Sequence, residues 1–204
     1  ARITLEGFYK KYSQYPISII DQVSLANKGG GFEVLGNEAI TSNGKGKSYG
    51  VEALYQQKLA KNFYGVFAYT YFHSQFTTSK GKFLPSVWDS RHLISFSGGY
   101  KLKRNWEISA RWRFSGLTPY VPVDLDGSLA AYPEIVLDYS ELGNAKLDPF
   151  NLADIRFDKK WNFKSYSFNF YFEIQNFLAQ SIPLPEEYGL NRDENGELVS
   201  PNSL

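Results

Sequence analysis

In the stretch NWEISARWRFSG (105–116) the positions Trp106, Ile108, Ala110, Trp112 and Phe114 are apolar, and the intervening Glu107, Ser109, Arg111, Arg113 and Ser115 are polar. A period of two is that of a β-strand, whose successive side chains point to opposite faces of a sheet. The same alternation recurs along the chain. RITLEGFYKKY (2–12) sets Ile3, Leu5, Gly7 and Tyr9 against Arg2, Thr4, Glu6 and Lys10; SYGVEALYQQKL (48–59) sets Tyr49, Val51, Ala53 and Tyr55 against Glu52, Gln56 and Lys58. RHLISFSGGYKL (91–102), ADIRFDKKW (153–161) and YSFNFYFEIQNF (166–177) follow the same rule. FYGVFAYTYFHSQF (63–76) is apolar on both sides for most of its length, so its facing stays open. Seven strands are predicted.

The connections between them alternate in length. Those at 60–62, 103–105 and 162–164 are tight turns, whereas 13–47, 77–90, 117–149 and 178 onward are long. Each strand is close to the roughly 9 to 11 residues that a tilted strand needs to cross a bilayer. A soluble sheet would pack its apolar face on a core. A membrane barrel inverts this, with the apolar face on lipid, a polar lumen, short periplasmic turns and long extracellular loops. Loops long on one side only favour the barrel over a soluble β-sandwich. The tight turns AKNF, KLKRN and KKWNFK are basic, and Phe63, Tyr64, Tyr100, Trp106, Trp161, Phe163 and Tyr166 stand beside them as an interfacial girdle would.

Composition sharpens this picture. Of 204 residues 17% are aromatic, which suits strands and membrane girdles, and 22 basic against 21 acidic residues leave no nucleic-acid footprint. Cysteine is absent and the histidines are two, His73 and His92, so neither a thiolate nor a histidine-rich metal centre is expected, and no cofactor. No apolar run approaches the roughly 20 residues of a membrane helix, and no signal-like segment opens the chain. The expectation is a partial transmembrane β-barrel domain over 1–204, without a plug and without the terminal strand.

The run PSVWDSRHLISFSGGYKLKRNWEISARWRFSGLTPYVP, followed by DPFNLADIRFDKKWNFKSYSFNFYFEIQNFLAQ, resembles the carboxy-terminal barrel half of TonB-dependent outer-membrane receptors, of Bacteroidota type. Its specific parts are the D-S-R-H…GGY element, the strand followed by T-P-Y, and the R-x-D-K-x-W…E-I-Q-N-F pair. The resemblance implies a plugged barrel of about 22 strands, an amino-terminal plug that engages the TonB complex, outer-membrane lipid around the wall, and energy-coupled import of an extracellular ligand, with a surface lipoprotein as a further partner. The alternative is a passive, structural or adhesive outer-membrane barrel without plug or TonB dependence.

Candidate residues fall into two groups. Glu107, Arg111, Arg113, Asp154, Arg156 and Asp158 sit on polar strand faces, where they would face a lumen or a plug. Phe83, Trp88, Tyr120, Asp124, Asp126, Tyr132 and Tyr139 lie in long loops, where aromatics beside carboxylates are the candidates for ligand contact. Asp89, Arg91 and His92 are expected to cluster at the outer rim, and no serine has the context of a catalytic triad, so an enzyme is not expected. Asn191, Asp193 and Asn195 before Gly196 echo the start of a calcium loop. The position of its bidentate Glu is Asn202, and an Asn-Gly turn explains the residues with less.

Overall fold

The computed structural model describes residues 1–28, 35–132, 134–185, 193–195 and 197. Its strands are β1 (Arg2–Ser18), β2 (Ile40–Ala60), β3 (Phe63–Thr77), β4 (Phe83–Pro85), β5 (His92–Lys101), β6 (Trp106–Ser115), β7 (Thr118–Pro119), β8 (Val123–Asp124), β9 (Val136–Leu137), β10 (Lys146–Leu147), β11 (Phe150–Asn162) and β12 (Ser167–Ile174). One antiparallel sheet holds the seven long strands in the order β1-β2-β3-β5-β6-β11-β12, with β4 added to the end of β3. The sheet is open, and β1 and β12 form its two edges. A short helix, α1 (Leu125–Ala130), lies between β8 and β9.

Directly opposed residues of an antiparallel pair share a face. Ala110 stands opposite Gly98 on β5 and Ile155 on β11; Trp112 stands opposite Phe96 and Ala153; Phe157 stands opposite Ile108 and Phe172. Continued across the sheet, this register joins Ile3, Leu5, Val51, Tyr55, Phe67, Ile94, Trp112, Ile155 and Phe170 into one apolar face. It also settles β3: Phe63, Phe67, Tyr69 and Tyr71 lie on the apolar face, and Tyr64, Val66 and Thr70 on the polar one.

Among the described residues nothing covers that apolar face. Leu5 is 72% exposed and Phe172 56%, while the buried apolar residues Ile17, Val23, Phe76 and Val87 lie at the long-loop end. A soluble sandwich would pack a second sheet there, and the other two sheets are two-stranded fragments within the long loop before β11. An apolar surface this continuous marks contact with lipid or another apolar partner. No helix among the described residues is long and apolar enough to cross a membrane.

The short turns gather at one end of the sheet and the long connections at the other. Lys61 and Asn62 link β2 to β3 with φ of 47° and 71°, and Arg104 and Asn105 precede β6 with φ of 58° each. Two consecutive positive φ values match the right-handed twist of the strands they join. The first long connection is shorter than the alternation predicts. Pairing of β1 with β2 continues past Tyr12↔Gly46 to Ser18↔Ile40, through irregularities around Tyr15, so this hairpin projects beyond its neighbours.

The left-handed backbone at Asn62 generates a prediction. Asn62→Val should destabilise the folded full-length protein by about 1–2 kcal/mol, and Asn62→Gly should leave it unchanged or slightly more stable, as read from urea unfolding midpoints in lipid.

Candidate functional site

The polar face carries an ordered set of charges. Arg111 on β6 and Asp154 on β11 are register partners, and the guanidinium donates from Nε (2.9 Å) and Nη2 (2.7 Å) to Oδ2. The other Asp154 oxygen accepts the backbone N–H of Asn176 at 2.9 Å, so this carboxylate also fastens the chain beyond β12. Arg156 holds Asp158, two residues along the same strand, through two bonds of 2.8 Å, and faces Glu173 of β12 at 3.8 Å. Its guanidinium stacks 3.9 Å from the centre of the Tyr171 ring. Tyr64 reaches across β5 to donate its hydroxyl to Glu107 on β6. It can do so because Gly99, its partner on β5, has no side chain: a Cβ there would lie 2.6 Å from the Tyr64 oxygen. Arg113 follows on the same face and makes no ion pair among the described residues.

These groups surround a cavity of about 480 Å³ toward the short-turn end, lined by Tyr64, Glu107, Ser109, Arg156, Asp158 and Lys160 among others. Positive and negative groups alternate around it, as suits a polar protein surface better than a single charged ligand. The six polar-face candidates, Glu107, Arg111, Arg113, Asp154, Arg156 and Asp158, thus share one face. Tyr64, expected in the interfacial girdle but placed by the register on the polar face, and Glu173, which was not among the candidates, complete their network.

At the opposite end the loops fold into a polar knot. Asn27, fully buried, donates from Nδ2 to the carbonyl of Pro85 at 2.6 Å, and Val87 N–H donates to the carbonyl of Ala26 at 3.3 Å. Lys28 bridges Asp21 (2.5 Å) and Glu38, while Ser18 donates to the other Glu38 oxygen. The Lys28 ammonium also lies 5.7 Å from the Tyr139 ring, which ties the loop before β2 to the one before β11. Asp89, only 2% exposed, accepts from Ser74 N–H (3.0 Å) and Arg91 Nε (3.2 Å). Arg91 in turn donates to His73 Nε2 at 2.8 Å. Asp89 and Arg91 therefore meet as expected, but His92 does not join them; it bonds Tyr69 at 2.9 Å, and His73, stacked on Tyr49, takes its place. Beside this group is a cavity of about 420 Å³ whose lining includes Asp89, Arg91, His92, Phe114, Leu117 and Lys146.

The loop candidates are spread out. Phe83 lies under the Lys47 ammonium (4.7 Å), Trp88 is exposed, and Tyr120 N–H donates to the Ala145 carbonyl. Asp124 is occupied in capping α1 through Gly127 N–H, whereas Asp126 in its first turn is exposed. Tyr132 is exposed and Tyr139 packs at Lys28. None of the seven lines the 420 Å³ cavity. No group of three or more His, Asp or Glu among the described residues is placed to hold a metal ion. Asp193 accepts the N–H groups of Asn195 and Glu197, as in a tight turn, while Asn191, Gly196 and Asn202 lie outside the described residues.

The loop knot has a defined pH response. Hydrogen bonds from Lys28 and then Ser18 hold the Glu38 carboxyl below its ordinary value of 4.5. Its contribution is present above that value and is lost as pH falls through the lowered one. Burial pulls the Lys28 ammonium down, but its bonds to Asp21 and Glu38 outweigh this and raise it above 10.5, so its contribution is full below 10.5 and is lost above the raised value. Hydrogen exchange of residues 18–28, corrected for intrinsic rates, should show constant protection from pH 5 to 9 and loosening in acid; Glu38→Gln should loosen the segment already at pH 7.

Residues 1–177 match the family described as "TonB dependent receptor-like, beta-barrel". A crystal structure of the ferripyoverdine receptor of the outer membrane of Pseudomonas aeruginosa, bound to ferripyoverdine, shares the fold with a TM-score of 0.57 at 15% identity. The alignment covers 96% of this chain and 22% of that one, so the chain spans a small part of that receptor's length. A search of curated proteins gives no match. With most of its length matched and one antiparallel sheet of alternating faces, the chain belongs to the β-barrel family of TonB-dependent receptors.

Proposed function

We propose that this chain forms a sector of the wall of a TonB-dependent transporter of Bacteroidota type, with a barrel of about 22 strands, which captures an extracellular ligand on its long loops and admits it past a plug when the TonB complex pulls. One observation carries the reading. Among the described residues the apolar face is uncovered on all seven long strands, while on the opposite face Arg111 pairs with Asp154 and Arg156 with Asp158 and Glu173. This is the arrangement a wall needs between hydrocarbon and a wet lumen. In it Glu107, Arg111, Arg113, Asp154, Arg156 and Asp158 face the lumen and the plug. The exposed Phe83, Trp88, Asp126 and Tyr132, with the half-buried Tyr120, Asp124 and Tyr139, belong to the outer surface where ligand or a surface lipoprotein is met.

The orientation is tested by labelling single cysteines with a membrane-impermeant maleimide in intact cells that express the full-length gene. Asp126→Cys should label in intact cells and Lys103→Cys, in a short turn, only after lysis; the reverse would place the long loops in the periplasm. The facing is tested by stability. Ala110→Arg should cost about 2–4 kcal/mol if the site is near the bilayer midplane, and Arg111→Gln much less, measured by urea titration of the receptor folded into lipid vesicles. Equal costs would contradict the assignment.

A further inference from the structure

The basic character of the short turns is not used by the transport reading, and the structure gathers it at one place. On the apolar face of the seven long strands the register places no Asp or Glu, and at the short-turn end it places one cation, Lys159 on β11. Its ammonium lies 5.2 Å from the centre of the Trp106 ring and 5.4 Å from that of Trp161, and it donates a hydrogen bond to the backbone carbonyl of Arg104. An ammonium carries three hydrogens, so this contact leaves donors to spare. Around it the turns present Lys103, Arg104 and Lys164, all exposed. None of these four has a carboxylate partner among the described residues, in contrast to the polar face, where Arg111 and Arg156 are both neutralised. Exposed aromatic rings continue the patch: Phe163 is stacked on Tyr166 at 4.6 Å, and Trp161 packs on Phe168 at 5.6 Å.

A cation held between indole rings on a lipid-facing surface, level with a basic turn and without acidic neighbours, is complementary to a phosphate whose acyl chains run along the apolar strands. We propose that the short-turn rim of β6, β11 and β12 binds the headgroup of an anionic phospholipid, with Lys159 and Arg104 as its principal contacts and Lys164 as a third cation. The proposal rests on the facing given above, with the apolar side against lipid. It goes beyond that reading by assigning the rim a preference for headgroup charge, which a wall alone does not need. The trapped lipid would anchor the β6–β11 seam at the membrane surface.

The test is native mass spectrometry of the detergent-purified full-length receptor, titrated separately with dimyristoyl phosphatidylglycerol and dimyristoyl phosphatidylcholine. The unsubstituted protein should retain phosphatidylglycerol preferentially. Lys159→Gln and Arg104→Gln should each weaken that retention about five-fold, and Lys47→Gln, a cation at the far end of the same face, should not alter it. Lys164→Gln, in an exposed turn, is the variant least able to disturb folding, which is followed by heat-modifiable migration. Equal retention of the two lipids, or preference unaffected by all three rim substitutions, would overturn the site while leaving the lipid-facing wall intact. Retention of neither lipid would likewise overturn the site.

Discussion

The structure depends on strand register. With β11 held in place, a shift of one residue in β6 would carry Glu107, Arg111 and Arg113 to the face that now holds Trp112 and Ile155, because the side-chain period is two. In hydrocarbon such an inversion would expose several charges at once. The correct register gains on both sides of the sheet: Arg111 meets Asp154 and Arg156 meets Glu173 on one face, and Trp112 Nε1–H donates to Asn151 at 2.8 Å on the other. These pairs are individually modest, since Arg111 is half exposed. Their joint effect is to make one alignment much better than its neighbours.

The two ends of the sheet solve different problems. At the short-turn end the chain reverses in as few residues as the strand twist allows, and basic and aromatic side chains meet the interface. At the long-loop end β1 and β2 outrun the other strands, and buried Asn27, Asp89, Ser18 and Ser24 bond the loops to one another. Such bonds, together with the buried apolar side chains of Ile17, Val23, Phe76 and Val87, keep the shape of the loop surface, as the proposed ligand-reading role requires.

The strands whose neighbours alternate cleanly, such as 105–116 and 153–161, were legible in the sequence with their facing. Three features were not, each for a physical reason. The extension of β1 to Ser18 is hidden because Gln14 adopts a positive φ, the pairing slips around Tyr15, and the partner residues Gly44 and Gly46 carry no facing signal. The facing of β3 is masked by aromatics on its polar side, and there the cause lies in the partner strands: Tyr64, Phe72 and Phe76 stand opposite Gly99, Gly50 and Gly46, where each ring finds room over a missing side chain. The partnership of Asp89 and Arg91 with His73 joins residues from β3 and the loop after β4, which no local spacing encodes. The polar-face candidates were readable because alternation alone puts them together, whereas the loop candidates depend on how α1 and the short strands fold the loop before β11.

The most direct measurement is a nitroxide scan of residues 107–114, one site at a time, in the full-length receptor reconstituted into bilayers, comparing collision with oxygen and with a water-soluble nickel chelate. The account predicts oxygen maxima at Ile108, Ala110, Trp112 and Phe114, and chelate maxima at Glu107, Ser109, Arg111 and Arg113, alternating residue by residue. Alternation with the opposite phase, or equal access of both reagents throughout, would contradict a wall whose apolar face meets lipid.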